Sequence, residues 1–236
     1  MAKALKLSSN GTAEAPKVWF GPGRRGVLDA AASRVLEIVV SLAILILGAP
    51  LWLLLVILVR RDGGPAFFSQ TRLGKGGRPF RFVKFRTMVN GNDHSAHRTY
   101  VVRLINGNDA RYRARNGDLV AKIAGDRRIT RLGRMLRKVG LDEVPQMLHV
   151  LAGDMSLVGP RPPIPYEVEA YQDWHWARLR GRPGVTGLWQ VSGRSRVGFD
   201  DQVLLDVYYL ANRSFWMDLR IILKTVPVML TGKGGF

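Results

Sequence analysis

The residues from Ile38 to Val59, IVVSLAILILGAPLWLLLVILV, carry no charge. A helix needs about 20 apolar residues to cross the hydrocarbon core of a bilayer, so this segment belongs in a membrane. It is no signal peptide. It starts too late, its apolar run is too long, and no small-residue cleavage site precedes Arg60. Two features argue against a straight crossing. Gly48-Ala49-Pro50 falls in the middle, and a proline inside a helix removes a backbone donor and clashes with the preceding turn. Both flanks are also basic: Lys3, Lys6, Lys17, Arg24, Arg25 and Arg34 before it, then Arg60, Arg61, Arg72, Lys75, Arg78, Arg81, Lys84 and Arg86 after it. Basic flanks prefer the cytoplasm. If both stay there, the segment enters the membrane, bends at Pro50 and returns to the same face. The alternative is a kinked spanning helix with its N-terminus outside, and charge alone leaves the two open.

The rest of the chain is unevenly charged. Lys and Arg number 36 against 18 Asp and Glu, a net charge of +18 over 236 residues. Such an excess implies an anionic partner: nucleic acid, phospholipid headgroups or a phosphorylated substrate. With 47% hydrophobic residues, the chain is expected to fold. The absence of cysteine excludes a disulfide scaffold and a thiolate zinc site.

Local patterns give elements. The aromatic runs of GPAFFSQTRLGKGGRPFRFVKFRTM flank Gly-Lys-Gly-Gly and predict a hairpin. Turn signals at Asn90-Gly91, Asn106-Gly107 and Asn116-Gly117 mark residues 89 to 125 as loop-rich, with a short helix near HRTYVVRLI. Asp93, His94 and His97 there lack a further ligand and are expected in a solvated loop rather than a metal site. In DRRITRLGRMLRKVG, the residues Ile129, Leu132, Leu136 and Val139 share a helical face, and Arg127, Arg131, Arg134, Arg137 and Lys138 fill much of the rest. A basic amphipathic helix beside a membrane anchor is expected at the bilayer surface. GDMSLVGPRPPIP predicts a stiff extended loop with Arg161 held between Pro160 and Pro162. RPGVTGLWQVSGRS predicts a second, Gly-rich loop. RSFWMDLRIILKTVPVMLTG predicts another interfacial helix, bent at Pro227.

KVGLDEVPQML places Asp142 and Glu143 side by side in this basic chain. Val144, Leu148 and Leu151 fall in helical register up to Gly153, and Pro145 is tolerated only in a first turn. The pair is therefore expected at a helix N-terminus, where the dipole stabilises anions. A solvated acidic cap is one reading and a catalytic pair the other. Adjacent carboxylates hold Mg²⁺, which bridges to substrate phosphates, and a carboxylate can act as nucleophile. Arginines match phosphate with a planar fork of donors. Together these features suggest phosphoryl chemistry at a membrane surface.

KFRTM (84–88), RLGRMLRKVGLDEVPQMLHVLAGDMSLVGPRP (132–163), RPGVTGLWQVSGRS (182–195) and DVYYLANRSFWMDLRIILKT (206–225) together resemble the bacterial sugar transferases. These are the monotopic phosphoglycosyl transferases that start exopolysaccharide, O-antigen and capsule synthesis. The resemblance is to their compact form, without the additional N-terminal spanning helices of larger members. It implies transfer of a sugar 1-phosphate from a UDP-sugar to a polyprenol phosphate, with release of UMP. Asp142 matches the family's nucleophile, which takes up the phosphosugar covalently. Glu143 matches its partner, for Mg²⁺ binding or proton transfer. Arg137, Arg161 and the adjoining Pro162 match positions that bind phosphate or nucleotide. Lys84 and Arg86 belong to a motif near the site, and Gln190 and Arg194 lie in the Gly-rich loop as substrate contacts. Two positions depart from the family pattern. Ala49 replaces the frequent serine before Pro50, and Gly140 replaces a serine two residues before the Asp.

The resemblance also implies an organisation. It has a flexible segment over 1–28, a re-entrant membrane helix over 29–61 and a membrane-surface catalytic domain over 62–236. The fold class is α+β, mostly α, with interfacial amphipathic helices and a small β-hairpin. The expected location is the cytoplasmic face of a bacterial inner membrane. The expected partners are the UDP-sugar, the polyprenol phosphate and a bilayer with anionic headgroups, without nucleic acid; a homo-oligomer is compatible with the pattern. A basic membrane adaptor that binds anionic lipid or nucleic acid without catalysis explains the charge, but not the acidic pair or the proline-locked Arg161. A membrane-anchored phosphohydrolase, transferring to water, is the third reading.

Overall fold

A computed structural model describes residues 25–61, 63–89, 95–106, 112–113, 119–120, 128–192 and 197–231. The apolar segment forms two helices, α1 (Val27–Leu47) and α2 (Ala49–Arg60), meeting at Gly48. The sequence places the bend at Pro50; the structure places it two residues earlier, with Pro50 in the first turn of α2, where its missing N–H costs nothing. The Gly48 N–H and the Trp52 indole Nε1 both donate to the Ile44 carbonyl, at 3.1 and 2.9 Å. That carbonyl is among those a helix end leaves unpaired. A Cβ at position 48 would lie 2.3 Å from the Trp52 ring, so a side chain there would have to displace the indole that caps the Ile44 carbonyl. Among the described residues, α1 is the one helix long and apolar enough to cross a membrane.

Strands β1 (Phe67–Leu73) and β2 (Pro79–Phe85) form the expected hairpin, antiparallel and in register from Phe67–Phe85 to Leu73–Pro79. Its turn passes through Gly76 and Gly77 at φ 67° and 75°, a left-handed conformation that glycine adopts freely. After the hairpin come α3 (Ser95–Ile105), the short antiparallel pair β3 (Tyr112–Arg113) and β4 (Leu119–Val120), and α4 (Arg131–Val139). A 3-10 turn over Leu141–Gln146 leads into α5 (Met147–Ala152). Then follow β5 (Ser156–Val158), α6 (Pro165–Val168), a 3-10 stretch over Asp173–Arg180, β6 (Gly184–Thr186), α7 (Leu188–Ser192), α8 (Phe199–Asn212) and α9 (Phe215–Thr231). The segment RPGVTGLWQVSGRS is thus not a plain loop. It contains β6, which pairs parallel with β5, and then α7.

Both limbs of the broken helix dock on one folded body. On α1, Val40, Ile44 and Leu45 pack against a core of Phe82, Met147, Val150, Met155, Leu157, Val158, Tyr209 and Ile221. On α2, Leu55 and Val59 are buried with Phe85 and Leu136. Polar contacts fix both ends. Arg25 pairs with Asp218 at 2.6 Å, and Asp29 accepts the Phe215 N–H at 2.8 Å. Arg34 donates to the Val150 and Leu151 carbonyls at 2.7 and 2.8 Å, covering the end of α5. At the other end, the Arg86 guanidinium donates to the carbonyls of Val59, Pro65 and Met88 at 2.8, 2.6 and 3.1 Å.

Helix α4 starts later than its apolar pattern suggests. Ile129 forms a bridge with Met88 instead of a helical turn, and Thr130 caps the helix by accepting the Gly133 N–H at 2.9 Å. Gly133 lets α4 lie against the hairpin's exit, since a Cβ there would sit 2.2 Å from the Thr87 carbonyl oxygen. That obstacle is backbone and cannot swing aside. Gly133→Ala is therefore expected to destabilise the protein by about 1–3 kcal/mol, as overpacking does. A lowered melting temperature of the purified protein is the readout, and an unchanged one would show that α4 can shift without cost.

Candidate active site

Helix α4 ends at Gly140 in the left-handed conformation, φ 71°, which turns the chain directly into the 3-10 turn bearing Asp142 and Glu143. The acids therefore lie on this tight turn and not in the first turn of an α-helix, because the α-helix proper begins only at Met147. Pro145 sits inside the 3-10 turn. Asp142 is 5% exposed and Glu143 half-buried. A solvated acidic cap does not describe this pair.

What surrounds the turn is cationic. Strand β2 runs beside it. Side chains alternate along strands, so Phe68, Gln70 and Arg72 share one hairpin face with their cross-strand partners Lys84, Phe82 and Phe80. Lys84 Nζ lies 5.7 Å from the Phe68 ring centre, and the Arg72 guanidinium 5.3 Å from that of Phe82, distances at which a ring face attracts a cation. Arg72 is 6% exposed and donates to the Pro162 carbonyl at 2.9 Å, while its Nε is buried without a protein partner. From α4, Arg137 donates to the Thr87 hydroxyl at 2.7 Å.

Arg161 arrives on the proline-rich loop, held by backbone on both sides. Ser156 N–H reaches the Pro183 carbonyl, Gly159 N–H the Thr186 carbonyl and Gly184 N–H the Pro160 carbonyl, at 2.8 to 2.9 Å. Leu73 N–H binds the Pro163 carbonyl at 2.9 Å, tying the same loop to β1. A Cβ on Gly184 would fall 2.0 Å from the Gly159 nitrogen, so the two chains approach at a distance only glycine permits. Pro162 thus acts through its backbone, as the acceptor for Arg72.

The charges perturb one another. Burial pushes the Asp142 carboxyl above the usual carboxylate range, against the pull of Lys84 and Arg137. Glu143 is pushed up to about 7 by burial and by Asp142, opposed by Lys84, Arg161 and Arg72. Lys84 is lowered to about 8 by burial, with Asp142 pulling it back up and Arg137 and Arg72 pushing it down. Arg72 falls to about 10, from burial first and Arg161 second. Asp142, Glu143, Lys84, Arg72, Arg137 and Arg161 therefore form one electrostatic cluster. Shifts of this kind in a buried cluster are typical of functional sites.

Other residues named from the sequence lie differently. Arg86 spends three guanidinium hydrogens on backbone carbonyls, so its described role is to join α2 to the hairpin. Gln190 on α7 reaches the Val185 carbonyl at 3.4 Å, and its Oε1 is buried without a protein partner. Arg194, Asp93, His94 and the side chain of His97 lie outside the described residues. Arg72 was not singled out from the sequence as a site residue. Its signal was a cation at an inward-facing position of an alternating strand. No group of three or more His, Cys, Asp or Glu side chains suited to a metal occurs among the described residues. The adjacent carboxylates of Asp142 and Glu143 are the oxygen donors here that a Mg²⁺ ion would take.

A family model for bacterial sugar transferases matches residues 28–232. The chain is 43% identical over 203 residues to an undecaprenyl-phosphate galactose phosphotransferase of Salmonella typhimurium, covering 86% of this chain and 41% of that protein. It is 36% identical over 229 residues to the exopolysaccharide production protein ExoY of Sinorhizobium fredii, covering 95% and 98%. It is 38% identical over 225 residues to a UDP-glucose:undecaprenyl-phosphate glucose-1-phosphate transferase of Caulobacter vibrioides, covering 89% and 74%. The chain thus spans about two fifths of the Salmonella protein and nearly all of the Sinorhizobium one.

The lowered pKa of Lys84 is directly measurable. In metal-free buffer, acylation of Lys84 by a small amine reagent, followed by peptide mass spectrometry, should rise with a midpoint near pH 8. Removing the negative charge in Asp142→Asn withdraws the attraction that favours the ammonium, so the midpoint should move lower. A midpoint near that of a free lysine, about 10.4, would show that the ammonium is not buried among cations.

Proposed function

Because the chain belongs to the bacterial sugar transferase family, we propose that it transfers a sugar 1-phosphate from a UDP-sugar to a polyprenol phosphate and releases UMP, as the initiating step of exopolysaccharide, O-antigen or capsule synthesis. The observation that carries this reading is the buried Asp142 with the half-buried Glu143 beside it, set among Lys84, Arg72, Arg137 and Arg161. A diphosphate needs cations, and a carboxylate nucleophile needs them to approach it. The relatives named for undecaprenyl-phosphate transfer support the donor and acceptor classes.

Asp142 is the nucleophile of the proposed route. A carboxylate oxygen attacks the sugar-bearing phosphorus of the UDP-sugar, the bond from that phosphorus to the bridging oxygen breaks, and UMP leaves with that oxygen. The sugar phosphate is now an acyl phosphate on Asp142. An oxygen of the polyprenol phosphate attacks the same phosphorus, the bond to Asp142 breaks, and the carboxylate is restored. Arg161 and Arg137 hold and orient phosphate oxygens; Arg72 and Lys84 add charge that is fixed before the reaction, which is where preorganised electrostatics act. Glu143 stands next to the nucleophile as the proton-handling or metal-holding group. Mg²⁺, the expected cofactor, would be held by Asp142 and Glu143 and supplies neutralisation of diphosphate charge when bound. Dividing the transfer in two means that a water-soluble donor and a lipid acceptor need not share the site.

The membrane arrangement proposed is re-entrant, with the body on the cytoplasmic face of the inner membrane. It is supported by the contacts that hold both Arg25 and Val59, at opposite ends of the broken helix, to one folded body. Release of UMP distinguishes this reading from a basic adaptor without catalysis.

UDP-sugar supplied without lipid should release about one UMP per active enzyme, the burst of a ping-pong reaction. It should also leave a phosphosugar mass adduct on the peptide bearing Asp142, and chelation of Mg²⁺ should prevent both. Asp142→Asn should lower turnover by at least about a thousandfold, since an amide is a poor nucleophile. Wild-type transfer by that variant would refute the assignment. Steady UMP release without lipid would instead identify a phosphohydrolase.

Topology has its own test. Single cysteines at Arg25 and at Gly63, introduced into this cysteine-free chain, should both react only with reagent on the cytoplasmic side. Reaction of the first from the periplasm would establish a spanning helix.

A further inference from the structure

A second cationic site stands apart from the acidic pair. Beside the N-terminal half of α1 there is a cavity of about 350 Å³ lined by Arg25, Ser33, Arg34, Glu37, Arg182 and Arg213, with Ala30 at its wall. None of the six residues of the candidate active site lines it. Its volume falls within the range of small-molecule sites. Four guanidiniums in one cavity repel one another unless anions compensate them, and the protein compensates incompletely. Arg25 is met by Asp29, Ser33 and Asp218. Arg34 is met by Glu37 at 3.0 Å and by two carbonyls. The nearest carboxylate to Arg182 is the same Glu37, at 3.9 Å, and Arg213 has no carboxylate partner among the described residues. Three acids thus face four arginines, and two of the forks remain available to a ligand.

The cavity's surroundings say what kind of ligand. Val27, two helical turns before Arg34 and so on its side of α1, is 86% exposed, and Trp216, two residues before the buried Asp218 that pairs with Arg25, is 66% exposed on α9. Exposed apolar side chains and an indole beside buried charges are the pattern of a membrane interface. A phosphate entering this cavity would find the exposed Val27 and Trp216 side chains at hand for its alkyl chains. Arginine binds phosphate through paired N–H donors.

We propose that this cavity binds the phosphodiester of an anionic glycerophospholipid headgroup, fixing one lipid against the start of the membrane helix. The net excess of charge favours a headgroup that remains anionic over a zwitterionic one of the same phosphate. Free inorganic phosphate carries the same oxygens but no chains to lie against Val27 and Trp216, so the site distinguishes the two sources.

The test uses the purified full chain in detergent, with calorimetric titration of dioctanoyl phosphatidylglycerol, dioctanoyl phosphatidylcholine and inorganic phosphate. Phosphatidylglycerol should bind at least about tenfold tighter than either of the others. Joint replacement Arg182→Gln with Arg213→Gln should weaken phosphatidylglycerol at least about tenfold while leaving the melting temperature in place. Inorganic phosphate or phosphatidylcholine binding as well as phosphatidylglycerol overturns the proposal, and that comparison needs no variant. Equal phosphatidylglycerol affinity in wild type and variant overturns it as well. So does a raised KM for polyprenol phosphate with unchanged phosphatidylglycerol affinity, which would assign the cavity to the acceptor.

Discussion

Burying charge of both signs in one place is the constraint on which the rest of the structure depends. A carboxylate taken out of water alone is expensive, and so is a guanidinium. Asp142 and Arg72 are each about 5% exposed, and neither is tolerable without the other sign nearby. Satisfying that condition forces four separate stretches to converge. The hairpin brings Lys84 and Arg72, α4 brings Arg137, the tight turn brings the acids, and the proline-rich loop brings Arg161. The non-acidic partners are held by groups that do not ionise: the rings of Phe68 and Phe82, the Thr87 hydroxyl and the Pro162 carbonyl. Three of the four cations, Lys84, Arg72 and Arg137, thus have a contact that no carboxylate supplies.

Much of the candidate site lies in contiguous motifs. The local pattern marked Asp142, Glu143 and Arg161, and the family resemblance pointed to Arg137 and Lys84. Arg72 was not legible in the same way. Its importance comes from a cross-strand face and from a carbonyl 90 positions away, and neither shows in a linear reading that counted it among basic flanking residues. Arg86, named from the motif near the site, also has a long-range setting that a linear reading does not show: its guanidinium bridges three carbonyls of separate segments.

The fold was legible to a similar degree. The helical break, the hairpin, and the helices near residues 95–105, 131–139 and 215–231 follow from periodicity and turn residues. Strand β6 does not, because Gly184–Thr186 is extended only by virtue of its parallel pairing with Ser156–Val158. The 3-10 character of Leu141–Gln146 was likewise hidden, since proline in a first turn is compatible with either helix. Ile129 carried the right apolar phase for α4 but is captured by Met88. At β6 and at Ile129, local preference lost to a tertiary partner.

The corner at Gly48 has a mechanical consequence. Limb α2 is 12 residues long, against 21 for α1; at the helical rise it measures about 18 Å, well short of the roughly 30 Å hydrocarbon thickness. If the pair returns to its own face, the shorter limb limits how deep the corner reaches. The protein then disturbs one leaflet and leaves the other to close over it. Hydrophobic mismatch, which sorts spanning helices among bilayers of different thickness, acts on the full thickness and has little grip on such a wedge. The sensitivity moves to the packing of the near leaflet: its lateral pressure, its curvature and the lipids that tolerate an inserted apex.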